Sequence, residues 1–281
     1  VSAAVLRATS LFVQRYVLGR PTVVARARDF DLELRVPIRD AAGAGLYRRG
    51  MHAPEVADFL VRRLELEPGD LVFDIGASVG WYTLLLAQIA PRGVDIHAFE
   101  PDPWARGLLQ ENLGRNRVEG VTVADAAVGH RAGQVVLHRY GGRRRRPLRT
   151  SRAQQLTVPM LRLDDYCKEQ HIARRPVGCL KIGVQGFEFH ALQGGRRTLA
   201  RCRTVLTEYS PAQLDEAGMH PASVLDLMVE LGFEPAEIVA GALRPTDRRA
   251  IMADRRSRTL AWTRPHSARR AAVSDPGALA L

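Results

Sequence analysis

The stretch Asp74-x-Gly76-Ala77-x-x-Gly80 places a carboxylate at the end of an apolar run and two glycines in the turn that follows. Residues of these types at this spacing can hold a polar ligand: N–H groups at a helix start receive it, and glycines let it come close. The spacing disfavours a dinucleotide. In a Gly-x-Gly-x-x-Gly turn the second glycine lets a pyrophosphate touch the backbone and the third lets the helix pack tightly. Counted from Gly76, those places hold Ser78 and Trp81. Twenty residues beyond Gly80 the run VDIHAFE ends in Glu100, and a carboxylate there can accept both hydroxyls of a ribose.

Such residues must sit at the ends of strands. Between residues 70 and 210, short apolar runs alternate with amphipathic stretches, the pattern of βα units and a mostly parallel sheet. LVFDIG, VDIHAFE, VTVADAAVG, GCLKIG and TVLTEYS are the strand candidates. VGWYTLLLAQIA, DPWARGLLQENLGRN and FEFHALQGGRRTLA follow the first, second and fourth with helical spacing of apolar residues. HRAGQVVLHRY turns at Gly133 into an antiparallel strand, and LTVPMLRLDDYCKEQ adds an extended piece and a helix, which Asp164 and Asp165 start. PASVLDLMVELGF reads as a helix, while FEPAEIV and RTLAWTR close the sheet. No internal repeat is present.

A ribose-bearing ligand without phosphate fits these positions, and S-adenosylmethionine is the common cofactor of that kind. Its amino acid end would meet Gly76, Ala77 and Gly80, its ribose Glu100, and its adenine Asp125 at the end of the third strand. The plainer alternative is that Asp74 caps the next helix and Glu100 merely ends a strand.

The ordered series PGDLVFDIGASVGWYTLLLA, HAFEPDP, NLGRN, VTVADAAVG, LRLDDY, LKIGVQGFEFHALQGGRRTL and VLTEYSP resembles the FkbM-type family of S-adenosylmethionine-dependent methyltransferases. The resemblance covers about residues 50 to 210. It implies an α/β, class I methyltransferase fold: a doubly wound, Rossmann-like, mostly parallel sheet with an antiparallel C-terminal strand. It also implies methyl transfer to a hydroxyl of a sugar or secondary metabolite, with Asp74, Gly76, Gly80, Glu100 and Asp125 as cofactor contacts.

The chain departs from that family at the fourth strand, where a Lys-Ile-Asp-Val-Glu-Gly type of motif reads Lys181-Ile182-Gly183-Val184-Gln185-Gly186. Two carboxylates are absent. An alcohol that attacks a methyl group sheds its proton, so alignment and proton removal are the enzyme's tasks. Gln185 can orient a substrate but is no base, and neither position can ligate a hard divalent cation. Glu188 and Glu208 are the nearby carboxylates that can substitute, Glu208 the better placed at a strand end. Its alternative is an ordinary ion pair with an arginine. Lys181 is either a buried, paired lysine or a substrate contact, and His190 reads as a surface histidine. A live enzyme with a relocated base, one that uses proximity alone, and a cofactor-binding pseudoenzyme all remain open.

The chain has 281 residues, 46% hydrophobic, enough for one large core. The expected division is a helical or extended segment at 1–45, a methyltransferase domain at 46–263 and a disordered tail at 264–281. The formal charge is +11, yet only Lys168 and Lys181 are lysines, so 39 of 41 basic residues are arginine. The arginines gather in GGRRRRPLRTSR and DRRSRTLAWTRPHSARR, runs that read as solvated loops or tails rather than a nucleic-acid surface. There is no Asp/Asn-Pro-Pro-aromatic motif for a base amine, and the expected partner is a small-molecule or saccharide acceptor. Cys167, Cys179 and Cys202 form no Cys-x-x-Cys pair, which suggests neither a disulfide framework nor a thiolate zinc site. A cytoplasmic location is expected. The apolar start is interrupted by Arg7 and Arg15, so it reads as an amphipathic helix rather than a membrane span.

Overall fold

The computed structural model describes residues 21–38, 41–139 and 154–264. The amphipathic stretch at the start, the first arginine run and the tail beyond 264 lie outside the described residues. A hairpin of β1 (Thr22–Ala27) and β2 (Leu32–Pro37) leads into α1 (Ala41–Arg49) and α2 (Pro54–Arg63). Then β3 (Leu71–Ile75), α3 (Trp81–Ile89), β4 (Asp95–Phe99), α4 (Pro103–Arg115) and β5 (Val121–Ala124) alternate. Three strands follow, β6 (Ala127–Val128), β7 (Gly133–Arg139) and β8 (Gln154–Leu161), and after them α5 (Leu163–Glu169) and β9 (Val177–Ile182). The chain continues with α6 (Glu188–Gly194), α7 (Arg196–Leu199), β10 (Cys202–Tyr209), α8 (Pro211–Glu216) and α9 (Ala222–Glu230). It closes with β11 (Glu234–Val239), β12 (Ala242–Pro245), α10 (Arg248–Ala253) and β13 (Arg258–Thr263).

The main sheet has the order β12-β11-β13-β10-β9-β3-β4-β5. From β10 to β5 all neighbours are parallel, and β13 lies antiparallel between β10 and β11. The chain winds outward from β3 to β5, then returns to β9 and winds the other way. The switch therefore falls between β3 and β9, where a crevice opens beyond their carboxyl ends. LVFDI and VGCLKI are buried at every residue, as strands covered on both faces must be. Val72, Ala98, Cys179 and Leu206 face a core shared with α2, α3, α4 and the hairpin. Phe73, Phe99, Leu180 and Val205 face the other, with α5, α6 and α9.

Three features differ from the sequence expectation. The run VTVADAAVG divides after Ala124, so that β5 ends the main sheet and β6 joins a second one of order β6-β8-β7. The exposed edge strand β12 pairs with β11 through Ala240 and Gly241, both at positive φ; this is the backbone of a two-residue hairpin, disguised by alanine where asparagine is usual. The hairpin within the expected leading segment is no separate piece, because Leu34, Val36 and Ile38 are fully buried in the domain core.

The hairpin is locked by the NLGRN motif. Asn112 accepts from the Arg35 N–H (2.6 Å) and donates to the Arg35 carbonyl (3.0 Å), while Asn116 does the same with Glu33 at 2.9 and 2.8 Å. Four helical residues rise roughly 6 Å, and two strand residues span roughly 6.6 Å. Asparagines four apart on α4 therefore match backbone groups two apart on β2.

Candidate active site

Every second residue of a strand shares a face, so Asp74, Glu100, Lys181 and Glu208 belong to the same side of the sheet as Val72, Ala98, Cys179 and Leu206. All four approach its carboxyl edge. Asp74 and Lys181 are register partners on β3 and β9, and Lys181 Nζ stands 3.3 Å from Asp74 Oδ1 and donates to the Gly76 carbonyl (3.2 Å). The other Asp74 oxygen accepts from Thr83 Oγ1 (2.6 Å). The ammonium also lies 4.9 Å from the centre of the Tyr82 ring. Burial alone would lower the Lys181 pKa, but Asp74, Glu208 and Glu100 together hold it above the ordinary lysine value. Burial, aided by Glu208 and Asp74, pushes the Tyr82 phenol far up, so it stays neutral.

The glycine turn is tied to the strand beside it. Gly76 N–H and Ala77 N–H both donate to the Phe99 carbonyl (3.0 Å each), and Ser78 N–H donates to Glu100 (2.7 Å). These amides are therefore not free for a ligand, contrary to the sequence expectation. Gly76, at φ +79°, must be glycine for another reason: a Cβ would lie 2.2 Å from the Gly183 carbonyl. The turns after β3 and β9 touch backbone to backbone. Gly80, the helix N-cap at φ +92°, meets Leu109 of α4, and Asn112 donates to the Val79 carbonyl (2.8 Å), fixing the turn from behind.

Glu100 lies almost wholly buried, one oxygen on Ser78 N–H and the other on Asp102 N–H (2.9 Å). Burial raises its pKa. Each oxygen of a carboxylate can accept more than one hydrogen bond, so two vicinal hydroxyls can be added without displacing the amides. The residues present thus fit a ribose-bearing cofactor. Asp125 stands exposed one residue beyond β5, at the same edge.

The remaining candidates separate. Asp74 is fully buried beneath the turn and makes no capping hydrogen bond to the α3 backbone; it anchors Lys181 and Thr83. Glu188 is also buried, its oxygens accepting from Val184 N–H (3.0 Å) and Gly186 N–H (2.9 Å). As a proton acceptor it is misplaced, because both oxygens hold the loop on either side of Gln185. That grip keeps Gln185 exposed in the left-handed region, at φ +54°, which is unfavourable for a residue with a Cβ. His190 is half-buried rather than on the surface, 4.5 Å from Phe187 and 4.8 Å from His130 between ring centres. Glu208 is partly exposed at the end of β10, beside Lys181 and Gly183. Tyr82, Thr83, Ser78 and Asn112 were missed from sequence; their adjacency to the glycine turn was the available signal for the first three.

Asp164 does stand in the first turn of α5, and it also accepts from the Thr198 N–H (2.8 Å) at the start of α7. The three cysteines are buried and free. Among the described residues no helix is long and apolar enough to cross a membrane, and no group of three or more His, Cys, Asp or Glu side chains could hold a metal ion. Many described arginines are ion-paired, among them Arg35 with Glu111 (2.8 Å), Arg203 with Asp70 and Arg248 with Asp226 (2.5 Å).

A doubly wound sheet with a glycine turn at its switch point and a carboxylate one strand over defines a class I methyltransferase, whose cofactor is S-adenosylmethionine. The profile described as Methyltransferase FkbM domain matches residues 74–235, and the chain belongs to that family. It is 27% identical over 180 residues to the 2-O-methyltransferase NoeI of Sinorhizobium fredii, a match over 58% of this chain and 72% of the relative. It is 31% identical over 168 residues to the 31-O-demethyl-FK506 methyltransferase FkbM of Streptomyces tacrolimicus, over 48% of this chain and 63% of the relative. The latter share is a little under two thirds of that protein's length. A solved FkbM methyltransferase from Methylobacillus flagellatus superimposes with a TM-score of 0.45 at 18% identity, over 77% of this chain and 46% of that one.

Proposed function

We propose that the chain methylates a hydroxyl oxygen of a small-molecule or saccharide acceptor. The observation that carries this is Glu208, a partly exposed carboxylate at the carboxyl edge of β10 beside a buried lysine, together with similarity to two relatives whose names specify O-methylation or a demethylated oxygen position. S-adenosylmethionine supplies an activated methyl group, leaving the protein to bind, align and remove a proton. Glu100 holds the ribose and Asp125 the adenine edge, and the amino acid end packs beside the turn from Gly76 to Gly80 without using the Gly76, Ala77 and Ser78 amides, which are already bonded. Gln185, presented at the tip of its loop, orients the acceptor by hydrogen bonds. Lys181 keeps the edge organised from below.

The test is incubation of the protein and S-adenosylmethionine with a panel of oligosaccharides and hydroxylated macrolactones, with methylated products sought by mass spectrometry. Ether-linked methyl groups support the assignment; methylation confined to nitrogen, carbon or nucleic acid refutes it. A second reading, a cofactor-binding protein without turnover, is favoured by Gly183 and Gln185 standing where the family has carboxylates. Calorimetric binding of S-adenosylhomocysteine with no product across the panel would favour that reading.

A further inference from the structure

Gly183 follows the last residue of β9 in a conformation that does not call for glycine. Gly76 and Gly186 have φ of +79° and +101°, but Gly183 lies outside the left-handed region. What a side chain there would have to displace is the far end of a neighbouring one. A Cβ at 183 would stand 2.7 Å from both Cδ and Oε1 of Glu208 and 2.9 Å from Nζ of Lys181, closer than non-bonded atoms pack. The lysine is held from behind by Asp74 and the Gly76 carbonyl, so it has little freedom to retreat. Glu208, whose side chain is partly exposed, is the group that would swing away.

Resting on the proposed O-methylation, we propose that Gly183 is a positioning residue that admits the Glu208 carboxylate to the edge beside Lys181. Glu208 there takes the proton that the acceptor hydroxyl sheds. Positions 183 and 208 are alternative sources of a single carboxylate on neighbouring parallel strands, and filling both puts two like charges in one place. The other ionisable groups facing this point are Asp74, Glu100, Glu188 and Tyr82, each already engaged as described above. Introducing an acid at 183 alone would therefore impair the protein.

The test is a double-mutant cycle with Gly183→Asp, Glu208→Ala and the pair of substitutions, read first as melting temperature, which needs no acceptor. Each single substitution is expected to lower it by about 3 to 8 °C, and the pair by much less than the sum. A crystal structure of the doubly substituted protein should show the carboxylate introduced at position 183 near Lys181 Nζ. Additive losses, or an introduced side chain turned away from Lys181, would overturn the shared position. With an acceptor from the panel, Glu208→Gln should lower kcat by about 100-fold or more with S-adenosylhomocysteine affinity kept. An unchanged kcat would overturn the proton role. A compensating melting cycle with no methylated product would count against the O-methylation reading while leaving the packing relationship intact.

Discussion

Asp74 and Lys181 are register partners on the two central strands, and they are the charged residues within two otherwise apolar, fully buried runs. Their charges stand 3.3 Å apart at the switch point of the sheet. The pair fixes the turn after β3, through the Gly76 carbonyl, and the start of α3, through Thr83.

Removing one member should be far worse than removing both. Lys181→Met leaves Asp74 buried without a counter-charge, a situation that costs about 3 to 5 kcal/mol. Urea denaturation of Lys181→Met, Asp74→Asn and the pair together should show the pair closer to the parent protein than Lys181→Met is.

Glu100 should make cofactor binding depend on pH. Burial raises its pKa in the free protein, whereas ribose hydroxyls donating to the carboxylate favour the charged form and lower it. Binding then releases a proton, so affinity weakens as pH falls through the raised pKa of the free protein. Calorimetry with S-adenosylhomocysteine as the pH is lowered stepwise from neutrality should show this loss. Glu100→Gln should bind weakly at every pH with a flatter profile.

Truncating the asparagine clasp should loosen the hairpin. Asn112→Ala and Asn116→Ala each leave a backbone N–H and carbonyl without their side-chain partner, at about 1 to 3 kcal/mol apiece. Asn112→Ala should also weaken S-adenosylhomocysteine binding, since it releases the Val79 carbonyl, whereas Asn116→Ala should not. Denaturation and calorimetry on the same samples separate the two effects.

His97 should contribute acid sensitivity. It is buried on β4, stacked on Phe73 with ring centres 5.4 Å apart and bonded to the Tyr166 hydroxyl (2.9 Å), while its Nε2 has no partner among the described residues. Burial lowers its pKa below the ordinary 6.5, so the neutral ring suits the fold. The unfolded chain takes up the proton first, and stability is lost as pH falls below about 6.5. His190, shifted in the same direction, adds to this. Replacing His97 and Tyr166 together by phenylalanine should flatten stability between pH 6.5 and 5, measured by denaturant midpoints.

Period-two strands and a glycine turn are local patterns. LVFDIGASVG therefore announced its strand, turn and helix, and Glu100 could be placed at the next strand end by counting. The division of VTVADAAVG between two sheets was hidden, since nothing local distinguishes Ala124 from Ala127. So was the β11–β12 hairpin, because Ala240 stands where asparagine, aspartate or glycine usually precedes the turn glycine.

The residue sequence by itself determined which side chains reach the carboxyl edge, because alternation along a strand is set by backbone geometry. The role of each was decided by tertiary structure. Lys181 meets Asp74, Glu208 reaches Gly183, and Glu188 turns inward to its own loop through strand register and loop packing, which bring together residues as much as 107 positions apart. Such contacts depend on how separate elements stack, and no local spacing encodes that.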